Sequence, residues 1–387
     1  MNSYSEIFDE IVDIMRTDSS TCKDMGVGPY KKYKALIDDS MPRRLFVKTI
    51  KMYISEFKLP GHLKFTDVSM GNIDYKVIRK ENYLLVTKVA RDSLLRIGDK
   101  IISIDGDSIV DTAAGNKVFL MEEPFERQTD LWWQILMFSD VVTVVRDGDQ
   151  IDISTKLSKN VVYEGDSYFY ELQEKKRIYI RIEDFYNDIA IIDMIRELEP
   201  SLNECNELVI DVRGNGGGSS SAYSSLLSYC FPEGEHKIEN YGMEMNYSER
   251  NCRSRLRIFE EFFGDKISDE LKEALELEKK KLIANKGKGF VKLPLENQIV
   301  TGTKYPIRVL VYTDECCCSA GESFVETVSQ SSKVTVIGRP TMGINDYTNC
   351  TNAVWGDFYF AYPTSRDCRI DIGKGILGKG VPVDILE

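Results

Sequence analysis

Four short runs rich in β-branched residues constrain this chain most: "RIYIRI" (177–182), "ELVIDV" (207–212), "IRVLVYT" (307–313) and "VTVIG" (334–338). Between them lie stretches patterned as helices, "AIIDMIRELEP" (190–200), "SAYSSLLSYCF" (221–231) and "AGESFVETVSQ" (320–330). Strands that alternate with helices in this way read as βαβ crossovers and predict a largely parallel sheet covered by helices. In an open sheet of that kind, function collects in the loops that follow the strands. Two such loops stand out.

The first is "DVRGNGGGSSS" (211–221), where a buried strand runs into five residues of which four are glycine. Glycine allows positive φ and close approach of backbone N–H groups to a ligand, which suits either a phosphate cradle or an oxyanion hole. A P-loop needs Lys-Ser/Thr after the last glycine and none is present; the spacing of Gly214, Gly216 and Gly218 fits a dinucleotide fingerprint poorly. A merely flexible loop is the plain alternative. The second is "DECCCSAGES" (314–323), which reads as strand, tight turn and helix, with Ser319 at the helix N-terminus and Glu322 in its first turn. Ser319 is there either an N-cap or a reactive hydroxyl beside free N–H groups.

The rest of the chain divides in three. Residues 1–66 are patterned as helices in "SEIFDEIVDIM" and "RRLFVKTIKMYISEF", stopped by Pro60 and Gly61. Residues 67–157 switch to short β runs, with "RDGDQ" (146–150) a hairpin turn. Residues 158–387 form the α/β part, with a charged insertion at about 235–300 that contains "SDELKEALELEKKKLIANK" (268–286). That segment reads as a solvated helix with Glu/Lys pairs, or as a lid.

Bulk properties exclude several classes. With 42% hydrophobic and 29% charged residues, wholesale disorder is not expected. A net charge of -12 argues against nucleic acid or an anionic membrane as the main partner. No apolar window reaches the roughly 20 residues of a membrane span, and the acidic N-terminus lacks a signal-peptide core. Nine cysteines without an export signal suit reduced thiols in the cytoplasm. With no CxxC pair and only two histidines, no metal and no cofactor is expected.

"YLLVTKVARDSLLRIGDKIISIDGDSIVD" (83–111) resembles the core of a PDZ domain, although "IRKENY" replaces the usual glycine-rich carboxylate loop. Taken in order, this module, "RIYIRIEDF", "VIDVRGNGGG", "VYTDECCCSAGE" and "VIGRPTMG" resemble the carboxyl-terminal processing (tail-specific) peptidases, in particular their tricorn-core-like branch. The resemblance implies a multidomain α/β chain with a ClpP/crotonase-like core. It implies a serine endopeptidase acting on peptides or partly unfolded polypeptides, with Ser319 as nucleophile and the N–H groups of Ala320 and Gly217 as oxyanion hole. Cys316, Cys317 and Cys318 then become packing residues.

Two positions depart from the family pattern. Where the tail-specific branch carries its lysine, this chain has Ile344 and Asn345; where the tricorn-like branch carries a glutamate, it has Leu377. The tricorn-like histidine falls on His62 in "LPGHLKFTD" (59–67), which becomes the expected base. Asp346, with Asp367 and Asp371 behind it, is the candidate acid to orient that histidine. The alternatives are an inactive peptide-binding protein on the same scaffold and a thiol enzyme using Cys318.

Overall fold

The structure, a computed structural model, describes residues 2–163, 165–262, 269–295 and 298–387. The chain divides into two units, one of Met1–Gly165 with Asn352–Tyr362 and one of Asp166–Thr351 with Pro363–Glu387. Strand Phe358–Asp367 gives its first residues to one and its last to the other, pairing with Lys64–Asp67 at one end and Met243–Tyr247 at the other. Among the described residues no helix is long and apolar enough to cross a membrane.

In the first unit, helix Tyr4–Thr17 starts at a capping box in which Ser3 Oγ accepts from Glu6 N and Glu6 Oε2 accepts from Ser3 N at 2.8 Å. Its buried stripe of Ile7, Phe8, Ile11 and Met15 has the predicted three- and four-residue spacing. Helix Arg43–Ser55 buries Phe46, Val47, Ile50 and Ile54; Tyr4 stacks on Phe46 with ring centroids 4.2 Å apart. Arg43 grips both oxygens of the buried Asp67, at 2.5 and 2.8 Å, which fixes the start of the helix to strand Lys64–Asp67.

Also in this unit, strands Tyr75–Arg79, Leu84–Val89, Lys100–Ile104, Val141–Arg146 and Asp149–Ser154 form an antiparallel sheet in that order, over a core that includes Val86, Ile101, Trp132 and Val144. The predicted "RDGDQ" hairpin is present. Arg146 pairs with Asp149, and both Asp147 and Gly148 have positive φ, as a two-residue turn of the primed type requires.

The second unit is built on a six-stranded sheet ordered Ile385–Leu386, Val334–Gly338, Arg308–Thr313, Glu207–Asp211, Arg177–Ile182 and Tyr168–Gln173. Every pairing is parallel except that of the edge strand Tyr168–Gln173. All five residues of Glu207–Asp211 are buried, as a strand covered on both faces must be. Helix Asp188–Leu202 makes the crossover into that strand, and helix Ala320–Val328 the crossover from Arg308–Thr313 to Val334–Gly338. Because Asp211 pairs with Tyr312, the glycine loop and the cysteine-serine loop leave the sheet side by side. In the charged insertion, helix Asp269–Asn285 carries Glu276–Lys279 and Glu278–Lys281 pairs at 2.7 and 2.9 Å, while Ser268 lies outside the described residues.

Lys51, on helix Arg43–Ser55, is only 2% exposed, and its Nζ lies 4.2 Å from the centre of the Trp133 ring. Burial, with Lys64 nearby, pushes its pKa down to about 7. The unfolded chain, with a lysine pKa of about 10.4, therefore binds an extra proton between these values, so stability rises with pH across that window. Below it both states are protonated and the full cost of burying the charge remains, offset only in part by the ring. Lys51→Met should raise unfolding stability at pH 6–7 by roughly 2–4 kcal/mol, a gain that fades by about pH 10. Urea unfolding at several pH values measures it; an equal gain at every pH would show that the charge is not the cause.

Candidate active site

The glycine loop begins at Asp211, whose buried carboxylate accepts from Arg181 at 2.6 Å, Arg213 at 2.6 Å and the Tyr179 hydroxyl at 2.8 Å. Burial opposes its ionisation, but Arg213, Arg181 and Tyr179 outweigh that and hold its pKa below the usual carboxylate range. Arg213 N also donates to Asp211 Oδ1 at 3.0 Å, which turns the chain out of the strand.

Two residues then tie this loop to its neighbour. Asn215, fully buried, donates from Nδ2 to the Ile182 carbonyl at 3.0 Å, and its backbone carbonyl accepts from Cys318 N at 3.0 Å. Asp314 Oδ1 accepts from Gly214 N at 2.8 Å and from Cys316 N at 3.1 Å. Reading the stretch for its glycines missed Asn215, although the residue stands in the middle of them.

Ser319 occupies the N-cap position of helix Ala320–Val328, yet its side chain makes no capping hydrogen bond. The N-cap reading of its hydroxyl is therefore set aside. Its backbone sits at φ 52°, ψ −121°, a conformation rare for a residue with a side chain. Gly217 is packed against it: a Cβ added there would lie 2.6 Å from Ser319 Cβ and 3.1 Å from its Oγ, and the glycine φ is +85°. Only glycine fits.

The N–H expected of Gly217 for an oxyanion is donated instead to Asn215 Oδ1 at 2.9 Å, because the loop doubles back over the asparagine. The next residue, Gly218, and Ala320 have N–H groups that make no hydrogen bond among the described residues. The free pair is therefore Ala320 and Gly218, one from each loop.

Glu322, on the first turn of the same helix and fully buried, accepts four hydrogen bonds. They come from Thr341 Oγ1 and Gly343 N at 2.5 Å and from Ile344 N and Asn345 N at 2.9 Å. Burial pushes its pKa up, against the pull of these donors. The carboxylate anchors the loop in which the tail-specific branch would carry its lysine. Here Ile344 is buried, and Asn345 donates from Nδ2 to the Ser319 carbonyl at 2.8 Å and to Ser323 Oγ at 2.9 Å. By sequence alone Glu322 is only a first-turn acid, since its four donors come from a loop 19 to 23 residues on.

Asp346 pairs with Arg369 Nε at 2.9 Å through Oδ1, while its Oδ2 accepts from Leu377 N at 2.9 Å. Asp367 accepts from Arg369 N at 2.8 Å, and Asp371 from Arg366 at 2.7 Å. Cys317 is fully buried against Gly321, and burial pushes its thiol well above its usual pKa, so it packs rather than reacts. His62 belongs to the first unit, where it is 8% exposed in the turn between Gly61 and strand Lys64–Asp67. His236, the other histidine, bonds through Nε2 to the Pro232 carbonyl at 2.8 Å beside Phe231.

No curated protein matches the chain. Among solved structures, mature CPAF superposes with a TM-score of 0.66 at 11% identity, over 99% of this chain and 92% of that one. CPAF complexed with lactacystin gives 0.65 at 12% identity, over 99% and 93%. A putative peptidase from Parabacteroides merdae gives 0.50 at 16% identity, over 100% and 90%. At these identities the likeness is one of fold. Residues 176–386, which carry both loops and the anchored segment behind Ser319, match peptidase family S41. The chain belongs to that family of serine peptidases.

Proposed function

We propose that the chain is an endopeptidase acting on peptides or partly unfolded polypeptides, with Ser319 as nucleophile and His62 as general base. The observation that carries this reading is the uncapped Ser319 hydroxyl, held at positive φ against Gly217. Ser319 Oγ attacks the scissile carbonyl carbon while His62 takes its proton. The negative charge that develops on the carbonyl oxygen falls to the N–H groups of Ala320 and Gly218, beside a helix N-terminus of the right sign. His62 then returns the proton to the leaving amine, and water repeats the sequence on the acyl-enzyme.

Asp346 remains the candidate orienting acid. Its hydrogen bond from Leu377 N places a carboxylate beside the position where the family pattern has a glutamate, which supports a swap of the acid between neighbouring segments. The buried thiols of Cys205, Cys230, Cys252 and Cys317, which form no disulfide, support a reducing cytoplasmic compartment.

Fluorophosphonate should label wild-type protein and lose that label in Ser319→Ala. His62→Ala should remove nearly all peptide cleavage, whereas Lys374→Ala and Lys379→Ala keep most of it. With an imidazole base the rate climbs through roughly pH 6 to 7.5 and then levels. A rate that keeps climbing into alkali, or that dies with one of those lysines, would replace His62 by a lysine. Absence of both label and cleavage in the wild type would leave a peptide-binding protein.

The glycine loop gives a paired test. Gly217→Ala places a methyl group on the nucleophile and should cost about 10²-fold or more in kcat. A Cβ at Gly216 meets nothing within 4 Å, so Gly216→Ala should stay within about twofold. Equal effects at the two positions would contradict the assigned geometry.

A further inference from the structure

The residues that follow strand Arg177–Ile182 run alongside the glycine loop. Gly216 N donates to the Glu183 carbonyl at 3.1 Å, Phe185 N to the Gly217 carbonyl at 2.7 Å and Ser219 N to the Phe185 carbonyl at 2.9 Å. Gly218 lies so close that a Cβ there would fall 2.2 Å from the Phe185 carbonyl carbon and 2.7 Å from Tyr186 N. Phe185 points inward, buried against Tyr223 and against Phe324 of the nucleophile helix.

Tyr186 does the opposite. At 76% it is the most exposed of the large apolar side chains among the described residues. A lone exposed aromatic means little by itself. This one stands on a backbone fixed on both sides: Tyr186 N donates to Asp184 Oδ1 at 3.0 Å, and Asn187 caps helix Asp188–Leu202. Desolvation raises the pKa of the Tyr186 hydroxyl, and the thiol of Cys318, the residue before Ser319, adds to the shift together with Asp184 and Cys350. Tyr186 is thus presented to solvent on a backbone packed against Gly218 of the glycine loop.

We infer that Tyr186 is a specificity-determining residue whose ring walls a subsite for a large apolar side chain of the peptide, close to the scissile bond. This rests on the assignment of Ser319 as nucleophile. Covering the ring with an aliphatic or aromatic side chain removes apolar surface from water on both partners. The carboxylate of Asp184, immediately before Phe185, disfavours an acidic side chain at the same place.

The test uses an internally quenched peptide library with Leu, Phe, Ala or Glu fixed in turn at each position around the cleaved bond. It is read as kcat/KM for wild type, Tyr186→Phe and Tyr186→Ala, with fluorophosphonate labelling of each. The wild type should favour Leu and Phe at one position. Tyr186→Ala should lose about tenfold on those peptides and less than about twofold on the Ala peptide, while Tyr186→Phe keeps the preference. Labelling of Ser319 should be alike in all three. An unchanged preference in Tyr186→Ala with labelling intact overturns the inference alone. So does a uniform loss on every peptide together with lost labelling, which would mark Tyr186 as structural. Labelling that survives Ser319→Ala overturns the nucleophile assignment itself.

Discussion

The parallel register of Glu207–Asp211 against Arg308–Thr313 is the constraint on which the site depends. It sets the carboxyl ends of two central strands level, so the loops that leave them emerge as neighbours. One loop brings glycines, the other a serine at the start of a helix, and neither does anything alone. A slip of one residue along this pair would turn each side chain to the opposite face and part Gly217 from Ser319. Glu207–Asp211 is buried on both faces and Arg308–Thr313 on one, which specifies their register strongly.

On that frame the local conformation of Ser319 is costly. A non-glycine residue at such φ and ψ is strained by about 1–3 kcal/mol. Hydrogen bonds worth about 1 kcal/mol each offset this, among them those from Asn345 Nδ2 and Ser323 N to the Ser319 carbonyl. Glu322 holds the loop that brings Asn345 into place, and Asn215 and Asp314 hold the glycine loop and the cysteine-serine loop to each other. The polar groups closest to Ser319 are thus mostly engaged with one another. Among the described residues they leave without a hydrogen bond the Ser319 hydroxyl and the N–H groups of Ala320 and Gly218.

Much of this was legible in the chain. β-branched runs alternating with helical periodicity announced the parallel sheet, because a strand covered on both faces must be apolar throughout. The order of the motifs announced the family. Ser319 was legible as a choice between cap and nucleophile, and the absent capping hydrogen bond removes the first of these. Asn215 and Glu322 were visible as letters but not as anchors, since their partners lie on segments distant in the chain or in the backbone of another loop. The motif names the Gly217 N–H, but Asn215 folds under the loop and its Oδ1 accepts that N–H, a contact the motif does not reveal. Residues 352–362 fall with the N-terminal unit, a partition that a contiguous reading of the last strands does not reveal.

The central claim is that Ser319 is a nucleophile served by a histidine and by donors from both loops. A crystal structure of the protein after reaction with a peptidyl phosphonate tests it most directly. The account predicts phosphorus bonded to Ser319 Oγ, a phosphonyl oxygen within hydrogen-bond distance of the N–H groups of Ala320 and Gly218, and the His62 ring beside the adduct. An adduct on Cys318, or on Ser319 with its oxygen turned away from both N–H groups and His62 remote, would contradict it.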